Sequence, residues 1–145
     1  MAKDNLRVLL VDDHEVVRDG VKALIDASEG LVVVAEAGTV REAIDQALRT
    51  KPDVVVMDVR LADGSGIEAT REIRARLEKT QVLMLTSFAD DEALFASIMA
   101  GASGYVLKQV RSGDLLRAIR SVGAGDSGGG RRQEPPRSGG DPIGA

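Results

Sequence analysis

The chain has 145 residues, of which 43% are hydrophobic and 29% are charged, and its net charge is −4. This length suits one ordinary domain, and the acidic balance argues against nucleic-acid binding driven by net charge. Cysteine is absent, and the longest apolar run, at residues 31–35, is far below the ~18 residues of a membrane span. We therefore expect no disulfide, no thiolate metal site and no membrane contact, and we expect a location in the reducing cytoplasm.

The first half of the chain alternates between apolar runs and helical spacing. Leu6–Val11 predicts a buried strand that is followed directly by an acidic pair. Apolar doublets four residues apart then predict a helix with one apolar face: Val16, Val17, Gly20, Val21, Leu24 and Ile25. The run at residues 31–35 predicts a second strand. Thr39 stands three residues before Glu42, a capping-box spacing that predicts the start of a second helix.

The second half of the chain repeats this alternation. Residues 53–57 predict a third strand, residues 82–85 a fourth and residues 104–107 a fifth. Apolar side chains at helical spacing predict three more helices: Ile67, Ile73 and Leu77; Leu94, Ile98 and Met99; and Leu115, Leu116, Ile119 and Val122. Acidic residues at 90–92 favour the N-terminus of the fourth helix, and Ser112 favours that of the fifth.

Five strands that alternate with five helices define the fold class. The strands are continuous apolar runs, which are typical of a parallel sheet covered on both faces. Short connections and right-handed crossovers then give an α/β, doubly wound parallel sheet. A flavodoxin-like (βα)5 strand order of 2-1-3-4-5 makes the first and third strands neighbours, and ligands of such sheets bind at the carboxyl ends of the strands.

The C-terminal end of the chain has a different composition. Of the 16 glycines, 8 lie in residues 123–145, together with 3 of the 4 prolines. This segment has too few apolar side chains to offset the entropy lost on ordering it. Its three arginines balance three acidic residues, so residues 1–122 carry the whole net charge. We expect one folded domain over residues 1–122 and a Gly/Pro-rich, disordered tail over residues 123–145.

Three carboxylates follow two strands that this order makes neighbours. Asp12 and Asp13 follow the first strand, and Asp58 follows the third. Three negative charges at one edge of the sheet repel one another, so proton uptake or a bound cation must relieve them. Oxygen ligands favour a hard divalent cation, and Mg²⁺ is the one that commonly takes one or two carboxylates while keeping several waters. The sequence therefore predicts a Mg²⁺ site.

Groups of the opposite polarity follow the last two strands. Thr86 and Ser87 follow the fourth strand, and Lys108 follows the fifth. An ammonium group and a hydroxyl beside a carboxylate-bound Mg²⁺ can hold a phosphoryl group, whose transfer needs mainly positioning and charge neutralisation. Asp58 is the candidate nucleophile because it ends the central strand, and its attack would form an acyl phosphate.

Three residues that lie close in sequence to the candidate aspartates are expected to have structural roles only. His14, the only histidine, follows the acidic pair and is expected to begin a helix without taking part in chemistry. Gly64 and Gly66 match no Walker or dinucleotide pattern, so we expect them to shape the loop after Asp58.

At this point the motifs resemble a known family. The acidic pair, Asp58, Thr86-Ser87 and Tyr105–Lys108 resemble the receiver domain of two-component response regulators, over residues 6–122. The segments VDDHE at 11–15, DVRLADGSG at 58–66 and AGASGYVLK at 100–108 resemble the NarL/FixJ (LuxR-type) subfamily and, within it, DevR/DosR-type regulators. These motifs, in order at the ends of successive strands, make this a specific resemblance.

The resemblance implies a phosphoacceptor and a metal site. It implies that Asp58 accepts a phosphoryl group from the phosphohistidine of a sensor histidine kinase. Asp13 and Asp58 would bind Mg²⁺ directly, together with the backbone carbonyl of Arg60, and Asp12 would act through a bound water. Lys108 would pair with the phosphoryl oxygens.

The resemblance also implies a switch. Thr86 would hydrogen-bond the phosphoryl group, and Tyr105 would turn inward as Thr86 moves. This motion would change the face formed by the fourth helix, the fifth strand and the fifth helix, which would then bind or release a partner, a second copy of the chain included. Such a switch works by population shift.

Two alternative functions follow from the same residues. Members of the subfamily are usually DNA-binding transcription regulators, but that activity needs a helix-turn-helix domain, and this sequence contains none, so DNA binding is not supported by this chain. The first alternative is therefore an output-less or truncated form of such a regulator. An aspartyl phosphatase is less favoured because Arg60 occupies the position of the second aspartate that such enzymes need. We expect self-phosphorylation and slow autodephosphorylation at most, and no turnover of a metabolite.

Overall fold

The computed structural model describes residues 5–88 and 90–124, so most of the predicted tail, from residue 125 onward, lies outside the described residues. Five strands alternate with five helices: β1 (Leu6–Val11), α1 (Glu15–Asp26), β2 (Leu31–Ala37), α2 (Val40–Thr50), β3 (Val54–Asp58), α3 (Gly66–Arg76), β4 (Gln81–Thr86), α4 (Asp91–Met99), β5 (Gly104–Leu107) and α5 (Ser112–Gly123). Every helix within these ranges is too short or too polar to cross a bilayer.

The five strands form one parallel sheet in the order β2-β1-β3-β4-β5, which confirms the predicted fold class. The pairing of Val11 with Met57, and of Asp58 with Leu85, brings the carboxyl ends of the central strands to the same edge. The order reverses between β1 and β3. This is the point at which ligands of doubly wound sheets bind.

Each face of the sheet has its own apolar core. On one face, alternate residues of the strands pack against α2 and α3, with Ala43, Ala47 and Ile73 buried. On the other face, the remaining strand residues pack against α1 and α5, with Ile25 and Ile119 buried. Burying an aliphatic side chain of this size stabilises the fold by about 1.5–3 kcal/mol. The two cores explain why the strands are apolar at successive positions.

The predicted cap of α2 is present, with one difference. Thr39 is the N-cap residue, and its side chain accepts a hydrogen bond from the backbone N–H of Glu42 at 3.0 Å. The Glu42 carboxylate accepts from the backbone N–H of Gly38 at 2.8 Å, one residue before the N-cap. Both bonds satisfy amides at the start of the helix and fix where α2 begins.

The apolar faces predicted for α1 and α4 are only partly buried. Val16 is 84% exposed, and Ile98 and Met99 are 57% and 68% exposed. Helix α4 packs instead through small side chains at helical spacing, Ser97 and Ala100, which are buried. In α1 the predicted face does pack on the sheet further along the helix, through Val21, Leu24 and Ile25, whereas in α4 the apolar spacing did not indicate which side faces the sheet.

A short hairpin between β3 and α3 was not predicted. Arg60–Leu61 pairs with Gly64–Ser65 in an antiparallel arrangement of two residues per strand. At its tip, the Asp63 carboxylate accepts a hydrogen bond from the backbone N–H of Val40 at 2.6 Å. That bond lowers the pKa of Asp63 and places a negative charge at the N-terminus of α2. The loop after Asp58 is thereby attached to a second helix.

Candidate functional site

The three predicted carboxylates meet at the edge where the strand order reverses. Asp12 and Asp58 are buried, with 2% and 4% of their surface exposed, and Asp13 lies at the more open side. One oxygen of each carboxylate and one ring nitrogen of His14 all lie within 4.8 Å of one another. The chain folds this way because β1 and β3 pair in parallel and end at the same level.

Lys108 extends from the end of β5 into this cluster. Its Nζ lies 3.0 Å from Asp58 Oδ2 and 3.0 Å from Asp12 Oδ2, so one ammonium group bridges two buried carboxylates. The backbone N–H of Lys108 donates to the Thr86 carbonyl at 2.7 Å, which ties the ends of β4 and β5 together. Burial works to lower the pKa of Lys108, but its bonds to Asp58 and Asp12 and their charges raise the pKa above its ordinary value.

The environment makes Asp58 harder to ionise. Burial raises the pKa of its carboxyl, the hydrogen bond from Lys108 lowers it, and the charge of Asp12 raises it again, with a net increase. The ammonium group of Lys108 therefore does not fully compensate the two buried carboxylates. A further cation beside these carboxylates, or a neutral group in place of one of them, is therefore favoured.

The cluster opens into a cavity of about 220 Å³. Its lining consists of Asp13, His14, Asp58, Arg60, Thr86, Ser87, Phe88 and Lys108. The Thr86 hydroxyl is held at its rim, where it accepts a hydrogen bond from the backbone N–H of Phe88 at 3.4 Å. A carboxylate, an ammonium group and a hydroxyl thus face one space that is open to solvent.

The loop after Asp58 is shaped by a glycine. The backbone N–H of Gly66 donates to the Val59 carbonyl at 2.7 Å, and a Cβ atom at this position would overlap the Asp58 carbonyl oxygen. Gly66 therefore lets α3 begin directly against the end of β3. The backbone N–H of Arg60 lies 3.4 Å from Asp58 Oδ1, so the same loop also contacts the carboxylate.

Tyr105 lies outside the cavity. It is half-buried on β5, where it pairs with Met84 and packs against the core on the α2 and α3 side. Its hydroxyl is buried and has no hydrogen-bond partner among the residues that the structure describes. An unsatisfied buried hydroxyl is unfavourable, so a side-chain position that supplies a partner would be preferred.

The donor set of the cluster fits a divalent cation. Lys108 occupies Oδ2 of Asp12 and of Asp58, while the Oδ1 atoms of Asp12 and Asp13 face the ring of His14. Carboxylate oxygens at the mouth of a solvated cavity are the ligands that Mg²⁺ prefers. The residues present therefore fit the metal that the sequence predicted.

Two residues of the site were not identified from the sequence as members of it. His14 is the N-cap residue of α1, as expected, but its side chain makes no capping bond and its ring lies against Asp12 and Asp13. Arg18 donates from Nη1 to the Asp12 carbonyl at 2.7 Å and from Nε to Glu36 at 3.1 Å. Both contacts depend on the turn after β1, for which residue spacing gives no signal.

A family model for the response regulator receiver domain matches residues 8–120. The chain belongs to this family. The match covers nearly all of the described residues and confirms the resemblance stated from the motifs. Proteins of this family are signalling regulators rather than metabolic enzymes.

Individual relatives define the subfamily of this receiver. It is 50% identical over 122 residues to the DNA-binding transcriptional activator DevR/DosR of Mycobacterium tuberculosis, covering 84% of this chain and 56% of that protein. The chain thus spans a little over half the length of this curated relative. A two-component response regulator of the LuxR family from Aurantimonas sp. SI85-9A1 has a TM-score of 0.80 and 41% identity, covering 84% of this chain and 87% of the other.

A third comparison is the signal receiver domain of the response regulator NarL from Mycobacterium tuberculosis, with a TM-score of 0.81 and 25% identity. It covers 84% of this chain and 98% of the other. The chain is therefore the receiver domain of a LuxR/NarL-family response regulator, and its fold is the predicted flavodoxin-like one.

Proposed function

We propose that this receiver accepts a phosphoryl group on Asp58 from the phosphohistidine of a sensor histidine kinase, and that phosphorylation switches a protein-interaction surface. The observation that carries the proposal is the position of Asp58. Its buried carboxylate lies 3.0 Å from Lys108 Nζ at the base of an open cavity and within the acidic cluster.

The transfer follows from this geometry. An oxygen of Asp58 attacks phosphorus, the bond from phosphorus to the donor nitrogen breaks, and an acyl phosphate forms. Lys108 pairs with the phosphoryl oxygens, and Thr86 donates a hydrogen bond to one of them. Charge neutralisation by fixed groups is the main requirement of phosphoryl transfer, so few further side chains are needed.

We propose Mg²⁺ as the metal of this site. Asp13, Asp58 and the backbone carbonyl of Arg60 would hold it directly, and Asp12 would hold it through a water. When bound, Mg²⁺ neutralises charge on the transferred phosphoryl group. Burial, and to a smaller extent the charge of Asp12, raise the pKa of Asp58, so a cation that stabilises the ionised carboxylate is favoured here.

The proposed switch runs from Thr86 to Tyr105. In the described state the Thr86 hydroxyl contacts the Phe88 backbone, and a phosphoryl group in the cavity would offer it a stronger acceptor. Tyr105, whose hydroxyl has no partner among the described residues, would turn inward as Thr86 moves. Two packings that differ by only a few kcal/mol are enough for such a population shift.

The surface that this motion would change is formed by α4, β5 and α5. Its apolar side chains are exposed: Phe95, Ile98, Met99 and Leu107. Exposed apolar groups that lie together indicate a contact surface, and we propose a homodimer that forms on phosphorylation. Phe88, also exposed, lines the cavity and supports the approach of a protein donor.

The activity would be limited to the chain's own aspartate. Self-phosphorylation from a small donor and slow hydrolysis of the acyl phosphate are the only covalent steps that we propose. We place the receiver in the cytoplasm, where the phosphohistidine domain of a sensor kinase would meet it.

Intact-mass spectrometry tests the proposal. The protein is incubated with a small phosphodonor and Mg²⁺, alongside Asp58→Asn and the control Asp45→Asn, which removes an exposed carboxylate on α2. We expect the wild type and Asp45→Asn to gain the mass of one phosphoryl group and Asp58→Asn to gain none. An equal gain in Asp58→Asn would overturn the assignment.

A second candidate function is DNA-binding transcription regulation, with this chain as the receiver portion. The 50% identity to a protein described as a DNA-binding transcriptional activator favours it. A helix-turn-helix encoded downstream in any reading frame would support this function, and its absence would favour a receiver that acts through protein contacts alone.

A further inference from the structure

We propose that His14 is a direct ligand of the divalent cation, and that the site consequently binds transition-metal ions such as Mn²⁺ and Ni²⁺ in preference to Mg²⁺. This inference rests on the cation site of the proposed function and adds a nitrogen ligand to it.

The positions of the donor atoms support this ligand. His14 Nδ1 lies 3.3 Å from Asp12 Oδ1 and 3.2 Å from Asp13 Oδ1. Ligands held at about 2.1 Å from one octahedral ion lie about 3.0 Å from their neighbours. An oxygen of Asp58 also lies within 4.8 Å of these atoms. The ring nitrogen is therefore spaced from Asp13 Oδ1, the direct ligand of the proposed function, as one ligand of an ion is from the next.

The backbone directs the ring toward the cluster. The backbone N–H of His14 donates to Asp12 Oδ1 at 2.9 Å, and residue 14 is extended rather than helical. Its side chain makes no capping bond to α1, and its ring lies instead against the carboxylates of Asp12 and Asp13. Arg18 also contacts the turn after β1, by donating a hydrogen bond to the Asp12 carbonyl. The ring of His14 and the carboxylates of Asp12 and Asp13 are thus positioned by the same turn after β1.

Lys108 leaves this side of the cluster available. It contacts the Oδ2 atoms of Asp12 and Asp58, whereas His14 Nδ1 faces the Oδ1 atoms of Asp12 and Asp13. A cation between the ring and Asp13 Oδ1 therefore uses neither of the carboxylate oxygens that the ammonium group contacts. His14 also lines the cavity, so the ion would face the incoming phosphoryl group.

The nitrogen ligand determines the choice of metal. Mg²⁺ prefers oxygen ligands, whereas imidazole binds Ni²⁺, Cu²⁺ and Zn²⁺ well, and affinity rises from Mn²⁺ to Ni²⁺ for a given site. Carboxylate ligands alone bind all of these ions. An imidazole therefore adds affinity for the transition metals and little for Mg²⁺.

Titration calorimetry on the untagged protein tests the preference. Binding of Mg²⁺, Mn²⁺ and Ni²⁺ is compared in the wild type, His14→Ala and Glu15→Gln, the last being a control that removes a neighbouring exposed charge without touching the ring. We expect His14→Ala to lose about tenfold or more in Mn²⁺ and Ni²⁺ affinity, with Mg²⁺ affinity unchanged. Equal losses for all three ions, or no loss, would overturn the proposal.

A spectroscopic measurement on the wild type does not depend on the variant's folding. Because His14 is the only histidine of the chain, coupling of bound Mn²⁺ to a directly coordinated nitrogen, measured by electron spin echo, reports on this ring. We expect the coupling in the wild type and in Glu15→Gln. Its absence from the wild type would overturn the proposal.

Phosphorylation in Mg²⁺ separates this inference from the proposed function. If the wild type and His14→Ala both gain a phosphoryl group, the proposed function holds and the metal affinities alone decide the role of His14. If the wild type gains none, the proposed function fails, and the affinities and the nitrogen coupling still decide whether His14 is a ligand.

Discussion

At the scale of single residues, the raised pKa of Asp58 has the clearest effect on stability. Its pKa is raised chiefly by burial, so the folded protein binds this proton more tightly than the unfolded chain does. The stabilisation from this group is therefore complete below the unfolded pKa of about 3.9 and is lost as the pH rises through the folded pKa. At neutral pH without metal, ionised Asp58 lowers the free energy of unfolding.

Asp58→Asn should then be more stable than the wild type at pH 7 in chelator, and this advantage should shrink as the pH falls toward 4. Asparagine keeps the size of the side chain and removes the charge that burial and Asp12 oppose. Urea unfolding of both proteins at several pH values measures the difference. A variant that is less stable at pH 7 would show that the bond to Lys108 outweighs burial.

Some site residues are positioned by the ends of strands, and others by a turn or a long side chain. Asp58, Thr86 and Lys108 follow apolar runs, and once the strand order is known, the ends of those strands must meet. His14 and Arg18 reach the site through the direction of one turn and one long side chain. Residue spacing does not predict the contacts of these two side chains, because it gives neither the direction of a turn nor the contacts of a long side chain.

At the scale of elements, we expect two glycines to respond in opposite ways to substitution by alanine. Gly66 begins α3 against β3, where a Cβ would overlap the Asp58 carbonyl, whereas Gly20 lies within α1 with nothing near the position of its Cβ. Gly66→Ala should destabilise the fold by about 1–3 kcal/mol through overpacking. Gly20→Ala should stabilise it by about 0.5–1 kcal/mol, because alanine is the better helix former.

Chemical denaturation of the two alanine variants measures both effects. The phosphoryl gain of Gly66→Ala should fall as well, since the backbone that carries Asp58 must shift, and that of Gly20→Ala should not. A Gly66→Ala variant with wild-type stability and phosphorylation would show that α3 need not begin this close to β3.

Helix α4 gives a second test at this scale. Ile98 is 57% exposed, so Ile98→Glu should leave stability nearly unchanged while preventing the proposed homodimer of the phosphorylated receiver. Sedimentation velocity with a small phosphodonor measures the oligomeric state. Val16→Glu, on α1, is the matched control and should still dimerise. The reverse outcome would move the dimer contact to α1.

The elements themselves were largely predictable. The five strand runs and the Thr39 cap placed every major element within a few residues of its observed bounds. The buried side of α4 was not predictable, because apolar side chains on the outside of a helix have the same spacing as those on the inside. The hairpin around Asp63 was missed since two-residue strands have no periodicity.

At the scale of the whole molecule, the sheet is what turns separate motifs into one site. The acidic pair and Asp58 are more than forty positions apart, and Lys108 lies 50 residues beyond Asp58, yet parallel pairing ends their strands at one edge. Helices on both faces bury the strands and leave that edge open. The same arrangement links the cavity to α4 and β5, where the apolar surface is exposed.

Reductive trapping of the acyl phosphate tests the central claim most directly. The protein is phosphorylated by a small donor in Mg²⁺ and treated with borohydride, which reduces an acyl phosphate on aspartate to the alcohol, homoserine. Peptide mass spectrometry then locates the modified residue. We predict homoserine at position 58 and at none of the other aspartates. Homoserine at position 12 or 13 instead, or an unmodified residue 58 in a phosphorylated sample, would contradict the account.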